Sequence, residues 1–321
     1  MNETVVIRTN GLSKTYEGVE ALKPLDLTVT ANSIFGFLGP NGAGKTTTMK
    51  LLLGLIRPTS GSATIFGMDS VRQSPDIRAR IGYLPQEPRF YEHHTVRETL
   101  DFTARFFFKG PEQAIRQRIE EMLDLVGLED KADRKVKTLS GGEQQRLGIA
   151  QAQVNYPDLL ILDEPAASLD PLGRRDVLEV LSRLRKHTTV FYSTHILDDV
   201  QKVSDTVAIL NHGVLAAYGP IETLLAGSSG VVYTVTLKGS TEPARARIAA
   251  LPWVRDLQAS EREGQSTWTV AVSDELTAEQ QLLRTILVDT GLIVTSFGRK
   301  RYELEEVFTN IVEGGAHGGK Q

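Results

Sequence analysis

Residues 39–47 read GPNGAGKTT. The first eight fit the spacing G-x-x-x-x-G-K-[ST]. In that pattern glycines let backbone N–H groups curl around phosphate oxygens, and the following helix directs its positive end at them. Lys45 then reaches the outer phosphates, and the Thr46 hydroxyl is placed to ligate Mg²⁺. A tight turn beside a surface lysine is the plainer reading. The phosphate site is favoured by its context, with the apolar run IFGFLGP leading into the loop and the helical run KTTTMKLLLGL within and after it.

The run LLILDEP delivers Asp163 and Glu164 to the end of an apolar strand, the place where ligands sit in open α/β sheets. Carboxylates there are costly unless a metal or hydrogen bonds satisfy them. Asp163 suits Mg²⁺. Side chains alternate along a strand, so Glu164 is expected to point elsewhere, as a general base towards an attacking water. A helix cap or turn carboxylate is the competing reading. His195 ends the apolar run VFYSTH on the strand after the acidic one, which puts it near the γ phosphate; alone it would pass for a core histidine. Gln86 in GYLPQE could touch Mg²⁺ or water, or merely serve a turn. His93 and His94 are adjacent in a loop with no further ligands at metal spacing.

Residues 139–146, LSGGEQQR, present a second glycine-rich helix start without a lysine. Ser140 and Glu143 fit the S-x-x-E capping box. A cap alone has no use for Gly141 and Gly142, each of which costs a helix about 1 kcal/mol relative to alanine. Bare N–H groups at a helix start attract anions. The stretch therefore reads as a phosphate contact without its own cation.

In order, GPNGAGKTT, YLPQ, LSGGEQQR, LLILDEP, SLD and STH resemble the ATPase subunit of ATP-binding cassette transporters, over about residues 4–225. Asn41, GLIRPTSG and the late run YELEEVF are similar to the subgroup of drug, antibiotic and lipid exporters (ABC-2 type). The resemblance implies an α/β P-loop NTPase cassette with a RecA-like core, an antiparallel β subdomain and a helical subdomain carrying the signature LSGGEQQR. It implies ATP and Mg²⁺ as cofactors. Tyr16 would stack on adenine, and Gly39, Asn41, Gly42, Ala43, Gly44, Lys45, Thr46 and Thr47 would surround the phosphates. Thr46, Gln86 and Asp163 would serve Mg²⁺. Glu164 would be the base, assisted by His195, Gln86 and Lys45. Ser140, Gly141 and Gly142 would meet the γ phosphate bound by a second copy, and Asp170 of SLD would couple the two sites. The implied partners are separate transmembrane permease subunits and a second copy or a paralogous ATPase, gathered at the cytoplasmic face of the membrane. Three departures stand out: Ala166 where threonine is common, ANSIFG without the usual glycine–acid pair, and His93-His94 near the expected permease contact. A soluble cassette ATPase working on ribosomes or DNA is the alternative, but such chains carry two cassettes, long coiled coils or zinc cysteines, which this chain lacks.

These residues need elements to hold them. Residues 1–80 read as strands (VVIRTN, LDLTVT, SATIFG) plus one helix, which follows the phosphate loop and ends near Gly54. Residues 95–155 read as helical, with Thr95, Pro111 and Ser140 each opening a helix. From 157 to 225 strand and helix alternate, predicting a parallel sheet with crossover helices. A small-residue break at 224–232 separates the ATPase domain, 1–226 with its helical part at about 88–156, from an accessory domain at 231–313. In the latter, strands at 231–237, 254–259, 266–272 and 292–296, helices at 242–251 and 277–290, and one last helix suggest a ferredoxin-like βαββαβ module. Residues 314–321 read as a disordered tail.

The net charge of −4 leaves no basic footprint for general nucleic-acid or membrane binding. The absence of cysteine excludes disulfides, cysteine zinc sites and iron–sulfur clusters. No uncharged apolar stretch reaches the roughly 18 residues a membrane helix requires, and the first residues lack a secretory pattern. The expectation is a cytosolic protein that meets a membrane only by docking on something that spans it.

Overall fold

Two long strands, β1 (Val5–Tyr16) and β2 (Val19–Thr30), open the chain as an antiparallel pair. Then come the wholly buried β3 (Ile34–Leu38) and α1 (Lys45–Leu52). β4 (Ser60–Ile65), the two-residue β5 (Met68–Asp69), α2 (Ser74–Arg78) and β6 (Ile81–Leu84) follow. Three helices come next: α3 (Val96–Phe107), α4 (Glu112–Val126) and α5 (Gly141–Gln153). The chain then alternates through β7 (Leu159–Leu162), α6 (Pro171–Leu184), β8 (Thr189–Thr194), α7 (Leu197–Val203) and β9 (Thr206–Asn211). β10 (Val214–Pro220) closes this part, and α8 (Ile221–Ala226) follows it. The structure, a computed structural model, describes residues 4–226, 231–262, 264–288 and 291–299.

The chain divides into two units, Met1–Ile221 and Glu222–Gln321, the division falling just ahead of the small-residue segment. In the first unit β2-β1-β4-β5 form an antiparallel sheet. A second sheet has the order β10-β9-β3-β8-β7-β6, parallel except where β10 joins β9. Strands covered on both faces read as continuous apolar runs, which is why IFGFL, LLIL and TVFYST bury every residue. One core joins both sheets: Ile7, Leu25 and Val29 from the antiparallel sheet meet Phe35, Phe37, Ile161 and Phe191 from the parallel one. The Phe35 and Phe191 rings stack at 5.3 Å.

The helix starts follow the sequence signals. Thr95 and Ser140 each close a capping box, with Glu98 and Glu143. Pro111 caps α4, which ends on left-handed Gly127. Residues 1–80 hold a second helix that their strand-rich composition hid, the five-residue α2, whose Ile77 is fully buried.

The second unit comprises β11 (Val231–Lys238), α9 (Glu242–Ala249), β12 (Val254–Arg262), β13 (Gln265–Val272), α10 (Glu275–Leu287) and β14 (Ile293–Arg299). Its sheet order, β12-β13-β11-β14 with antiparallel pairs throughout, is ferredoxin-like. α10 begins two residues ahead of the expected start at 277, because Asp274 accepts the Thr277 N–H as its cap. Tyr233, Val235, Trp268, Val270, Leu282 and Ile286 share its core. The expected last helix, with YELEEVF, and the tail at 314–321 lie outside the described residues.

Candidate functional site

The order β3-β8-β7 puts three parallel strands side by side. Their carboxyl ends deliver the loop after Leu38, His195 after Thr194 and Asp163 after Leu162 to one place. The sheet alone thus gathers groups spread over more than a hundred residues of chain.

The loop turns through two glycines in the left-handed region, Gly42 at φ 79° and Gly44 at φ 104°. A Cβ on Gly44 would come within 2.6 Å of the Ala21 carbonyl, so the close turn into α1 admits no side chain. A cavity of about 310 Å³ opens above it, lined by Ala21, residues 41–47, Gln86 and Glu164. Lys45 is buried, and its Nζ donates to the carbonyls of Gly39 at 2.7 Å and Pro40 at 3.2 Å. The same ammonium pairs with Glu164 Oε1 at 3.1 Å. Glu164 Oε2 lies 2.8 Å from His195 Nδ1.

Asp163, 1% exposed, takes a different set of partners. Its Oδ2 accepts the Thr46 hydroxyl at 2.8 Å and its Oδ1 accepts the Ser193 hydroxyl at 2.7 Å. Ser193 in turn accepts the Glu164 N–H at 2.9 Å. The two carboxylates do diverge, but strand alternation is not the cause. β7 ends at Leu162, and Glu164 takes a left-handed conformation, φ 50°, just beyond it. That turn swings one carboxylate to Lys45 and His195 and leaves the other on Thr46 and Ser193.

The donor set fits a hard divalent cation. Thr46 spends its proton on Asp163, so its lone pairs remain for a metal, and carboxylate, hydroxyl and amide oxygens are the ligands such ions take. Among the described residues no group of three or more His, Cys, Asp or Glu side chains could hold a metal.

Gln86 lies two residues past β6, exposed, among the residues that line the phosphate cavity. Tyr16 is exposed and absent from the lining, with the Lys14 ammonium 4.9 Å from its ring centre.

Ser140, Gly141, Gly142 and Asp170 line a second cavity, of about 410 Å³, together with Lys131, Glu143 and Arg146. It shares no residue with the first. Ser140 Oγ accepts the Glu143 N–H at 3.3 Å, and Glu143 Oε2 accepts the Ser140 N–H at 2.9 Å. Asp170 caps α6, accepting the Gly173 N–H at 2.9 Å. Gly142 has a packing reason too: a Cβ there would sit 3.3 Å from the Gly173 Cα, where α5 crosses α6.

Two cations line this second site, although the signature stretch has no lysine of its own. Lys131, from the turn before the signature, lines it and donates to Glu143 Oε1, while Arg146 pairs with Asp176. Burial pushes the Glu143 carboxyl up, but the Lys131 hydrogen bond, the Ser140 N–H and the Lys131 charge carry it below the ordinary glutamate range. Both cations are thus committed to carboxylates of their own chain. Sequence reading missed Lys131, which stands nine residues before Ser140 with no motif to mark it. It also missed Ser193, whose only signal is its place two residues before His195, near the end of the strand that His195 follows.

A phosphate loop, a strand-end acidic pair and a parallel β3-β8-β7 core define a P-loop nucleoside triphosphatase. The family model described as ABC transporter matches residues 22–167. The ABC transporter ATP-binding protein YxlF of Bacillus subtilis (strain 168) is 36% identical over 310 residues, covering 96% of this chain and 99% of YxlF. The daunorubicin/doxorubicin resistance ATP-binding protein DrrA of Streptomyces peucetius is 36% identical over 313 residues, covering 95% and 92%. The solved structure of the ATP-binding cassette MJ0796, a dimer in a post-hydrolysis state bound to ADP and Pi, matches with a TM-score of 0.61 at 26% identity, over 67% of this chain and 98% of that one. The chain belongs to the ABC transporter family, as an ATP-binding, ATP-hydrolysing subunit.

Proposed function

We propose that the protein powers a membrane exporter, two copies closing head to tail around two ATP molecules. The observation that carries this reading is the division of the chemistry between two cavities with no shared residue. One has the lysine, the base and the phosphate loop; the other has a helix start that opens on two glycines, and its cations are already committed. Each is half of a site, and a second copy supplies the other half. The dimeric form of MJ0796 and the drug-resistance role in DrrA's name support the reading.

Lys45 and the loop N–H groups hold the β and γ phosphates, and Glu164 takes the proton of the attacking water. His195 holds the Glu164 carboxylate and faces the γ phosphate. Thr46, Asp163 and Gln86 would hold Mg²⁺, which when bound supplies neutralising charge to the phosphates. Ser140, Gly141 and Gly142 bind the γ phosphate of the opposite copy, and Asp170 relays between the sites. Separate permease subunits carry the cargo and hold the ATPases at the cytoplasmic face, a reading supported by the transporter role in the name of YxlF. Closure is driven by ATP because the nucleotide is bound by both copies, and hydrolysis releases it.

The test uses two variants. Glu164→Gln should bind ATP as tightly as the wild type and lose turnover by about 100-fold or more. In that background ATP should produce a dimer by light scattering, and Ser140→Arg should abolish it. Wild-type turnover in Glu164→Gln removes the base assignment, and an ATP-induced dimer that survives Ser140→Arg removes the shared site.

A further inference from the structure

We infer that Ser193 is a positioning residue for hydrolysis, the joint that locks the two active-site carboxylates in register. Its side chain is fully buried on β8. One hydroxyl makes two bonds of opposite sense: it donates to Asp163 Oδ1 at 2.7 Å and accepts the Glu164 N–H at 2.9 Å. A serine hydroxyl has one proton and two lone pairs, so both bonds are made at once.

The two bonds restrain different things. The first fixes the Asp163 carboxylate, whose other oxygen accepts Thr46 of the phosphate loop. The second fixes the peptide plane between Asp163 and Glu164, where the backbone is strained. Glu164 is a non-glycine residue at φ 50°, a conformation that persists only when its surroundings hold it. The direction of the Glu164 carboxylate towards Lys45 and His195 follows from that plane. Ser193 thus ties the residue that answers to the loop and metal to the residue that handles the attacking water, without touching nucleotide itself. The roles joined are those proposed above, and the inference rests on them.

Ser193→Ala leaves a buried N–H and a buried carboxylate oxygen each short of a partner. The freed peptide can rotate out of its strained arrangement. The expected result is a fall in kcat of about 10- to 100-fold, with the KM for ATP changed by less than about threefold. A purely structural role would instead lower the active fraction and leave each surviving site at full speed. Three measurements separate these. Active sites are titrated by stoichiometric nucleotide binding, so that kcat is per competent site. The same substitution is then made in the Glu164→Gln background. There Ser193 has no base left to position and keeps only its hold on Asp163, so the additional loss of kcat should be several-fold smaller than in the wild-type background. Ser193→Cys keeps the shape with a weaker donor and acceptor, and should fall between serine and alanine; it also serves if the alanine variant fails to fold.

Wild-type kcat per site in both Ser193→Ala and Ser193→Cys overturns the inference. So does a loss of kcat that is the same in the presence and absence of the Glu164 carboxylate. Failure of the underlying reading looks different, because Glu164→Gln alone would then retain turnover.

Discussion

Lys45 and Glu164 are each almost completely buried and 3.1 Å apart. The ammonium has a carboxylate and two loop carbonyls as partners. Removing one member of such a pair strands the other charge, commonly at a cost of about 3 kcal/mol. Lys45→Met should therefore lower the stability of the nucleotide-free protein by about that much in urea unfolding, besides destroying ATP binding. Lys45→Met combined with Glu164→Gln should recover most of the loss, since no buried charge remains. A single variant as stable as the wild type would mean the pair does not exist in solution. Lys45, Thr46, Asp163, Glu164 and His195 were legible because each stands at a fixed offset within a short motif or at the end of an apolar run. Ser193 was not. A serine inside a strand carries no spacing signal, and its importance comes from a neighbouring strand thirty residues away in the chain. The direction of Glu164 was anticipated for the wrong reason, since periodicity describes a strand and the residue lies just past one.

The signature helix α5 is held at both ends by cations from neighbouring segments. Lys131 fixes the N-terminal capping box through Glu143. At the other end Arg118 of α4 donates from Nε to the Val154 carbonyl at 2.9 Å and from Nη2 to the Gln153 carbonyl, with its guanidinium 3.4 Å from the Tyr156 ring centre. Carbonyls at a helix end have no partner within the helix, and the flat fork of arginine reaches two at once while stacking on an aromatic ring. Arg118→Lys keeps the charge and loses the fork and the stack. It should lower the melting temperature by several degrees, corresponding to about 1–2 kcal/mol, and speed amide exchange in the last turn of α5 more than in β7. Exchange that is unchanged in α5 would mean the helix end is held by packing alone. The capping residues Thr95 and Ser140 and the proline before α4 gave these helices away in sequence. The clamps did not show, because Arg118 lies 35 and 36 positions from the carbonyls it caps.

At the scale of the whole chain, alternating strand and helix patterns predicted the parallel sheet, and the βαββαβ order predicted the second unit. Period and turn residues are local, so they survive without knowledge of packing. Which strands become neighbours is not local, and the β3-β8-β7 adjacency that builds the site appears only once the sheet is assembled. The two units have separate apolar cores, and every residue lining the phosphate cavity belongs to the first. Trp268 is the largest fully buried side chain, with its indole N–H donating to Ser266 at 3.0 Å. Trp268→Ala should destabilise the second unit by about 3–5 kcal/mol. Calorimetry of the full chain should then show two transitions. The phosphate cavity lies in the first unit, so ATP at a hundred times its Kd should stabilise that transition by about 2.7 kcal/mol and leave the transition lowered by Trp268→Ala where it was. ATP affinity itself should match the wild type. A single transition that both the substitution and ATP move together would show that the two cores unfold as one, and the second unit would then have to be counted as part of the ATPase rather than an attachment to it.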